Sequence, residues 1–285
     1  MELQSSRLPR PYKYVFSRLS SRIVNWRDQL LDPSASTFYR AMSDSGFDPD
    51  AHIDVLPRHR VIYISLPKCA STTIKSILST LVLGTTVALD KVHKRRYSGL
   101  MSPTHVGLST FHRLANGAST LRFSFVRNPY ARLVSAWADK FQGKPIVAGD
   151  TFIDQYRAHR AAISEALPDG EDETLSFAQF VEFAAATADR RLNAHWQLQD
   201  DMLTMPGIKL DFIGKVEFFH RDFTGVLDHV RACDKFRQKI DLQLNPSKHR
   251  PWQDYYTDAL AARVYRAYQR DFERFGYPRM IAAAV

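Results

Sequence analysis

Cysteine is nearly absent. Cys69 and Cys233 are the only two in 285 residues, enough for a single disulfide and too few for an extracellular framework. No apolar run approaches the length of a membrane span, and the N-terminus lacks the hydrophobic core of a signal peptide. The expectation is a soluble, cytoplasmic protein with no transmembrane segment. Internal repeats and low-complexity tracts are missing as well. Acidic charge is in deficit, with 30 acidic against 39 basic residues for a net charge of +9, which favours anionic partners. Nucleic acid is not the expected partner, because no zinc-finger spacing or RNA-binding signature accompanies the charge. A small nucleotide carrying several phosphates uses basic charge equally well. The densest basic patch is Lys91, His93, Lys94, Arg95 and Arg96, for which a solvated surface loop is an equal alternative.

Glycine is missing where it would matter most, from the stretch RVIYISLPKCASTTIKSIL at residues 60–78. A β-branched run (Val61, Ile62, Tyr63, Ile64) stops at Leu66-Pro67. Lys68 and the hydroxyl residues Ser71, Thr72 and Thr73 follow, and then Ile74, Ile77, Leu78, Leu81 and Val82 recur at helical spacing. That order is strand, tight loop, helix. Free backbone N–H groups and the positive end of a helix dipole favour an anion at such a junction. The Gly-x-x-x-x-Gly-Lys-[Ser/Thr] pattern of nucleotide triphosphatases cannot be written without glycine. The loop therefore points to an anion other than Mg-ATP.

A chain of this length that is 45% apolar buries a substantial core and suits one large domain. Strand-like and helix-like segments alternate, which predicts an α/β fold with a mainly parallel central sheet flanked by helices. Residues 1–50 read as an N-terminal arm and 51–285 as the domain. Within it, 84–104 look irregular, 121–126 read as a buried strand, and Asn128 and Pro129 suit the cap and first position of a helix running to about Phe141. Helices are predicted near 110–115, 152–167, 177–187 and 221–233, and a strand near 210–214. One last helix carries Leu260, Val264, Tyr268, Phe272 and Phe275 on one face, ending at Gly276 and Pro278. The 143–210 region reads as a largely helical insertion of the kind that shapes an acceptor pocket.

The segment RNPYARLVSAW, beginning at Arg127, is the second informative loop. Asn128, Arg132, Ser135 and Asp139 share one helix face. An arginine at the loop and a hydroxyl on the helix can clamp a second phosphate. Two phosphate loops suit a nucleotide with phosphates at both ends of its ribose. Here the chain resembles the sulfotransferases that use 3′-phosphoadenosine 5′-phosphosulfate (PAPS), whose fold is three-layered and P-loop-like. Pro67-Lys68-Cys69-Ala70-Ser71-Thr72-Thr73 resembles their 5′-phosphosulfate loop, and Arg127-Asn128-Pro129-Tyr130-Ala131-Arg132-Leu133-Val134-Ser135 their 3′-phosphate segment. The branch most resembled is the carbohydrate sulfotransferases, or sulfotransferase family 2. His195-Trp196-Gln197-Leu198-Gln199 is similar to its His-Trp-x-Pro-Gln, with Leu198 in place of proline. Phe212-Ile213-Gly214-Lys215-Val216-Glu217 is similar to its Ile-Gly-[Lys/Arg]-x-Glu, and Asp271–Tyr277 to its C-terminal signature. The resemblance runs from about residue 60 to 278, and the soluble bacterial members are those it resembles.

That resemblance implies PAPS as donor, PAP as product, no metal, and a carbohydrate or other hydroxyl as acceptor. Lys68 is expected to stabilise the bridging and leaving oxygens. Cys69, Ala70, Ser71, Thr72 and Thr73 line the 5′-phosphate loop, although Cys69 reads as a spacer and capping the helix is an alternative for Thr73. Arg127 and Ser135 hold the 3′-phosphate, whereas Arg132 is either a ligand contact or one half of a structural salt bridge to an acidic neighbour. Lys248, in the basic loop before the last helix, is expected to close over the nucleotide. A general base is needed with a pKa near neutrality. His105 is the candidate, since some uronyl sulfotransferases carry their catalytic histidine at the corresponding place in chain order. His195, Glu217 and His93 are alternatives. Rival functions are a P-loop small-molecule kinase and a non-catalytic nucleotide- or polyanion-binding protein of the same fold.

Overall fold

A computed structural model describes residues 32–144, 151–162, 174–189, 193–234, 236–237 and 250–279. Among these residues four strands, β1 (Ile53–Leu56), β2 (Val61–Ile64), β3 (Leu121–Val126) and β4 (Phe212–Lys215), form one sheet in the order β1-β2-β3-β4. β2, β3 and β4 run parallel, and β1 is an antiparallel edge paired Ile53 to Ile64 and Leu56 to Val61. β1 has no strong sequence signal because it is four residues long and ends at Pro57. A 3₁₀ turn at Pro57–His59, closed by Arg60 in the left-handed region at φ 51°, returns the chain into β2.

Side chains on a strand alternate between faces, and here each face has its own core. Val61 and Tyr63 join Phe123, Phe125, Phe219 and Phe223 beneath the helices Ser71–Leu83 and Phe219–His229. Ile62 and Ile64 join Met42, Phe111, Val126, Met202 and Phe275 on the other face. The central strands are thus apolar on both sides, as a parallel sheet requires. Gly214 is compulsory in β4, since a Cβ there would lie 2.5 Å from the Phe125 ring. A third core, built mainly by helices, surrounds Trp196, drawing on Pro129–Lys140, Phe177–Thr187, Asp258–Ala267 and Gln269–Phe275.

Two sequence expectations meet a different structure. The described end of the segment read as an arm holds a helix, Pro33–Asp44, and places Met42 and Phe47 in a sheet core. The single C-terminal helix is two, Asp258–Ala267 and Gln269–Phe275, divided at Tyr268. Tyr268 donates its hydroxyl to the Trp196 carbonyl at 2.5 Å. The break turns Asp271 toward the N-terminus of Gln199–Leu203, where its carboxylate accepts the N–H groups of Gln199 (3.0 Å) and Asp200 (2.8 Å). No helix among the described residues is long and apolar enough to cross a membrane.

Candidate functional site

The carboxyl ends of parallel strands are where open α/β sheets hold ligands, and both sequence-predicted loops leave the sheet there. The first runs from Ser65, after β2, to Ala70, before Ser71–Leu83. Its missing glycines are replaced by strain. Lys68 and Ala70 occupy the left-handed region at φ 67° and 57°, a conformation costing a residue with a Cβ roughly 1–2 kcal/mol. The 13-residue helix that follows has no side-chain cap at Ala70. Its first intrahelical bond is Ile74 N–H to Ala70 C=O, so the N–H groups of Ser71, Thr72 and Thr73 have no carbonyl partner in the helix. A helix start with its donors still available favours an anion.

Arg127 completes the site from the neighbouring strand. Its guanidinium reaches the Lys68 carbonyl at 3.4 Å, so the structure brings the two loops together, and burial lowers its pKa. Ser135 lies buried on Pro129–Lys140, two turns along, with no hydrogen bond from its hydroxyl to a described residue. Lys68 Nζ sits 3.2 Å from Asp139 Oδ2, and Lys140 reaches the same oxygen at 3.0 Å. Burial depresses the Lys68 ammonium, with Asp139 opposing. For Asp139 burial works upward, but the two lysines outweigh it and hold the carboxyl at about 2. The carboxylate occupies charge that an anionic ligand would otherwise satisfy.

Five side chains of the motifs, those of Asn128, Arg132, Gln199, Cys69 and Glu217, are engaged by other groups of the protein. Asn128 caps its helix, accepting Tyr130 N–H at 2.9 Å. Arg132 is 1% exposed and spends its guanidinium on the carbonyls of Pro67 (3.2 Å), Gln197 (2.7 Å) and Ala194 (2.7 Å), in place of the expected salt bridge to an acidic neighbour. Gln199 clamps Arg127 from both sides, accepting its N–H at 2.9 Å and donating to its C=O at 2.9 Å. The same Gln199 oxygen accepts the Cys69 thiol at 3.2 Å. Cys69 is buried, which pushes its pKa up to about 11, as befits a spacer. Glu217 accepts Asn128 N–H at 2.8 Å and the Tyr277 hydroxyl at 3.0 Å. Gln199 and Asp271 carried no assigned role in the sequence; their only signal was membership of the His-Trp and Asp-Phe motifs.

The histidines separate by what they touch. His93 Nε2 is engaged by the Thr72 hydroxyl at 2.9 Å. His195 Nδ1 bonds Asn193 Oδ1 at 2.8 Å, its ring meets Phe152 edge to face, and burial with Lys140 and Lys68 drives its pKa down to about 3. His105 is exposed on the short helix Pro103–Val106, its Nδ1 2.5 Å from Ser102 Oγ. Its helix packs on β1 and on the turn Pro49–His52. That turn is tied to the first loop through Ser65 N–H to His52 C=O (2.7 Å) and the His52 ring to Ser65 C=O (3.1 Å). Lys248 lies outside the described residues. Among the described residues no cluster of three or more His, Cys, Asp or Glu side chains is arranged to hold a metal ion.

Comparison with known proteins meets this geometry. The sequence profile of the sulfotransferase family matches residues 51–278. Carbohydrate sulfotransferase 12 of Mus musculus is 28% identical over 263 residues, covering 80% of this chain and 60% of its own length. Carbohydrate sulfotransferase 8 of Homo sapiens is 28% identical over 266 residues, covering 86% and 60% respectively. Carbohydrate sulfotransferase 14 of Danio rerio is 28% identical over 236 residues, covering 80% and 62%. The chain thus spans about 60% of the length of the curated relatives it matches. No solved structure matches it.

Proposed function

The chain belongs to the sulfotransferase family, and on that premise we propose that it moves a sulfuryl group from PAPS to a hydroxyl of a carbohydrate or glycoconjugate. The observation that carries this reading is the approach of Arg127 to Lys68 beside an uncapped helix start. The relatives' names supply the carbohydrate.

In this reading the acceptor oxygen attacks sulfur in line, the bond from sulfur to the 5′-phosphate oxygen breaks, and the products are a sulfate ester and PAP. The backbone of Cys69 and Ala70 and the N–H and hydroxyl groups of Ser71, Thr72 and Thr73 grip the 5′-phosphate. Lys68 leaves Asp139 for the negative charge that grows on the departing phosphate. Arg127 and Ser135 take the 3′-phosphate, with Lys248 closing over the nucleotide. His105 receives the acceptor's proton at Nε2.

Calorimetry with PAP and with ATP, each with and without magnesium, tests the donor. PAP is expected to bind without metal and more tightly than ATP; magnesium-dependent ATP binding of comparable strength would instead favour a kinase. Arg127→Ala should weaken PAP binding by roughly tenfold to a hundredfold, the value of about 1.5–3 kcal/mol for hydrogen bonds to a charged group. Unchanged affinity would remove Arg127 from the nucleotide site.

A further inference from the structure

The proposed proton acceptor ends a chain of side-chain hydrogen bonds that the motifs do not account for. His105 Nδ1 lies 2.5 Å from Ser102 Oγ, and Ser102 Oγ lies 3.3 Å from Thr104 Oγ1. Thr104 donates its hydroxyl to Asp50 Oδ2 at 2.7 Å and its backbone N–H to Asp50 Oδ1 at 3.1 Å. Tyr39 adds a further donor to Oδ2 at 3.1 Å, and Arg95 holds the Asp50 carbonyl at 2.5 Å. The nearby carboxylate Asp54 is committed elsewhere, to Lys75 at 3.1 Å and Arg95 at 2.7 Å.

What each group can give or take sets the direction of these bonds. A carboxylate only accepts, and a hydroxyl has one proton. Thr104 therefore gives its proton to Asp50 and meets Ser102 as an acceptor. Ser102, donating to Thr104, already accepts the His105 backbone N–H at 3.4 Å and keeps one lone pair for the imidazole. An Nδ1–H fills it. If Ser102 donated to Nδ1 instead, two hydroxyl oxygens would face each other with no proton between them. With Nδ1 protonated, the neutral ring bares its lone pair at Nε2, and no described residue hydrogen-bonds that nitrogen.

We propose that Asp50, acting through Thr104 and Ser102, is a positioning residue that holds His105 in the Nδ1–H tautomer and leaves Nε2 to accept the proton. This role rests on the reading of His105 as the base; the tautomer itself does not. Asp50 lies one residue before the stretch matched by the family profile, on the same turn that buttresses the first loop through His52.

Nitrogen-15 NMR of the histidine rings in the full chain, with His105 assigned through His105→Gln, reads the tautomer directly. The neutral ring of the wild type should show Nδ1–H, and Ser102→Ala and Asp50→Asn should move it toward Nε2–H. An Nε2–H ring in the wild type overturns the inference whatever reaction the protein performs. In the transfer assay Asp50→Asn should lower kcat on the order of tenfold to a hundredfold, a part of the 10²–10⁴ available from a general base. PAP affinity and the KM for PAPS should stay unchanged. Thr104→Ser, which keeps the hydroxyl, should retain activity, and Thr104→Val should match Asp50→Asn. In a His105→Ala background Asp50→Asn should cost nothing further. An equal loss in that background would show that Asp50 acts on the fold and not through His105. Should PAP fail to bind in the donor test, the sulfotransferase reading fails while the tautomer result still stands or falls by itself.

Discussion

Lys68→Ala is expected to slow transfer on the order of 10²–10³-fold, the loss typical of removing one donor to a developing anion, with a much smaller drop in PAP affinity. The asymmetry follows from where the ammonium sits. Lys68 is held in the left-handed region at φ 67° and its Nζ lies 3.2 Å from Asp139. The loop backbone is set before any ligand arrives, and the ammonium has only to leave Asp139. Charge on a leaving phosphate oxygen grows during the reaction, so an ammonium there acts more on the transition state than on the bound donor. Lys68→Arg should not restore the rate, because a planar fork cannot replace a compact point charge at the same spot. Single-turnover transfer beside a PAP titration separates the two quantities. A variant that loses affinity and keeps its single-turnover rate would confine Lys68 to binding.

Arg132→Ala is the substitution expected to cost the fold most, about 3–5 kcal/mol, because several buried acceptors are left unsatisfied at roughly 1–3 kcal/mol each. Three carbonyls, of Pro67, Gln197 and Ala194, lose their donors together. They come from two segments, the first loop and the chain before Gln199, which Arg132 joins from the start of helix Pro129–Lys140. Arg132→Lys should recover little, since one ammonium cannot address three diverging acceptors as a guanidinium does. Urea unfolding measures the effect as a lower midpoint with an unchanged slope. A loss below about 1 kcal/mol would mean that water replaces the guanidinium at those carbonyls, and the claim for Arg132 as a tie between segments would go with it.

The elements with strong period were readable from the residues alone. The β-branched run at 61–64, the apolar run at 121–126 and the Asn128-Pro129 helix start appear where the pattern puts them. Helix Phe177–Thr187 also has the predicted limits. What escaped was whatever depends on distant partners. β1 exists because Ile53–Leu56 pairs with β2, and four residues carry no period of their own. The break at Tyr268 serves a carboxylate that must reach Gln199, 72 residues away. Asp139 was legible as a member of the Asn128, Arg132, Ser135 face, but its pairing with Lys68 needed the loop geometry. Asp50 had no local signal, because its contacts with Thr104 span 54 residues.

The left-handed Lys68 and Ala70 have one more consequence, in the heat and entropy of ligand capture. A glycine-rich loop surrenders its freedom when a phosphate arrives, and that ordering opposes binding. Here the ordering happens when the chain folds, with Cys69 anchored to Gln199 and Pro67 to Arg132. Affinity for the proposed nucleotide is then expected to be coupled to global stability. Changes far from the loop that weaken those anchors release it into the conformations that glycine would have allowed, and the anion meets a disordered chain instead of a formed cradle.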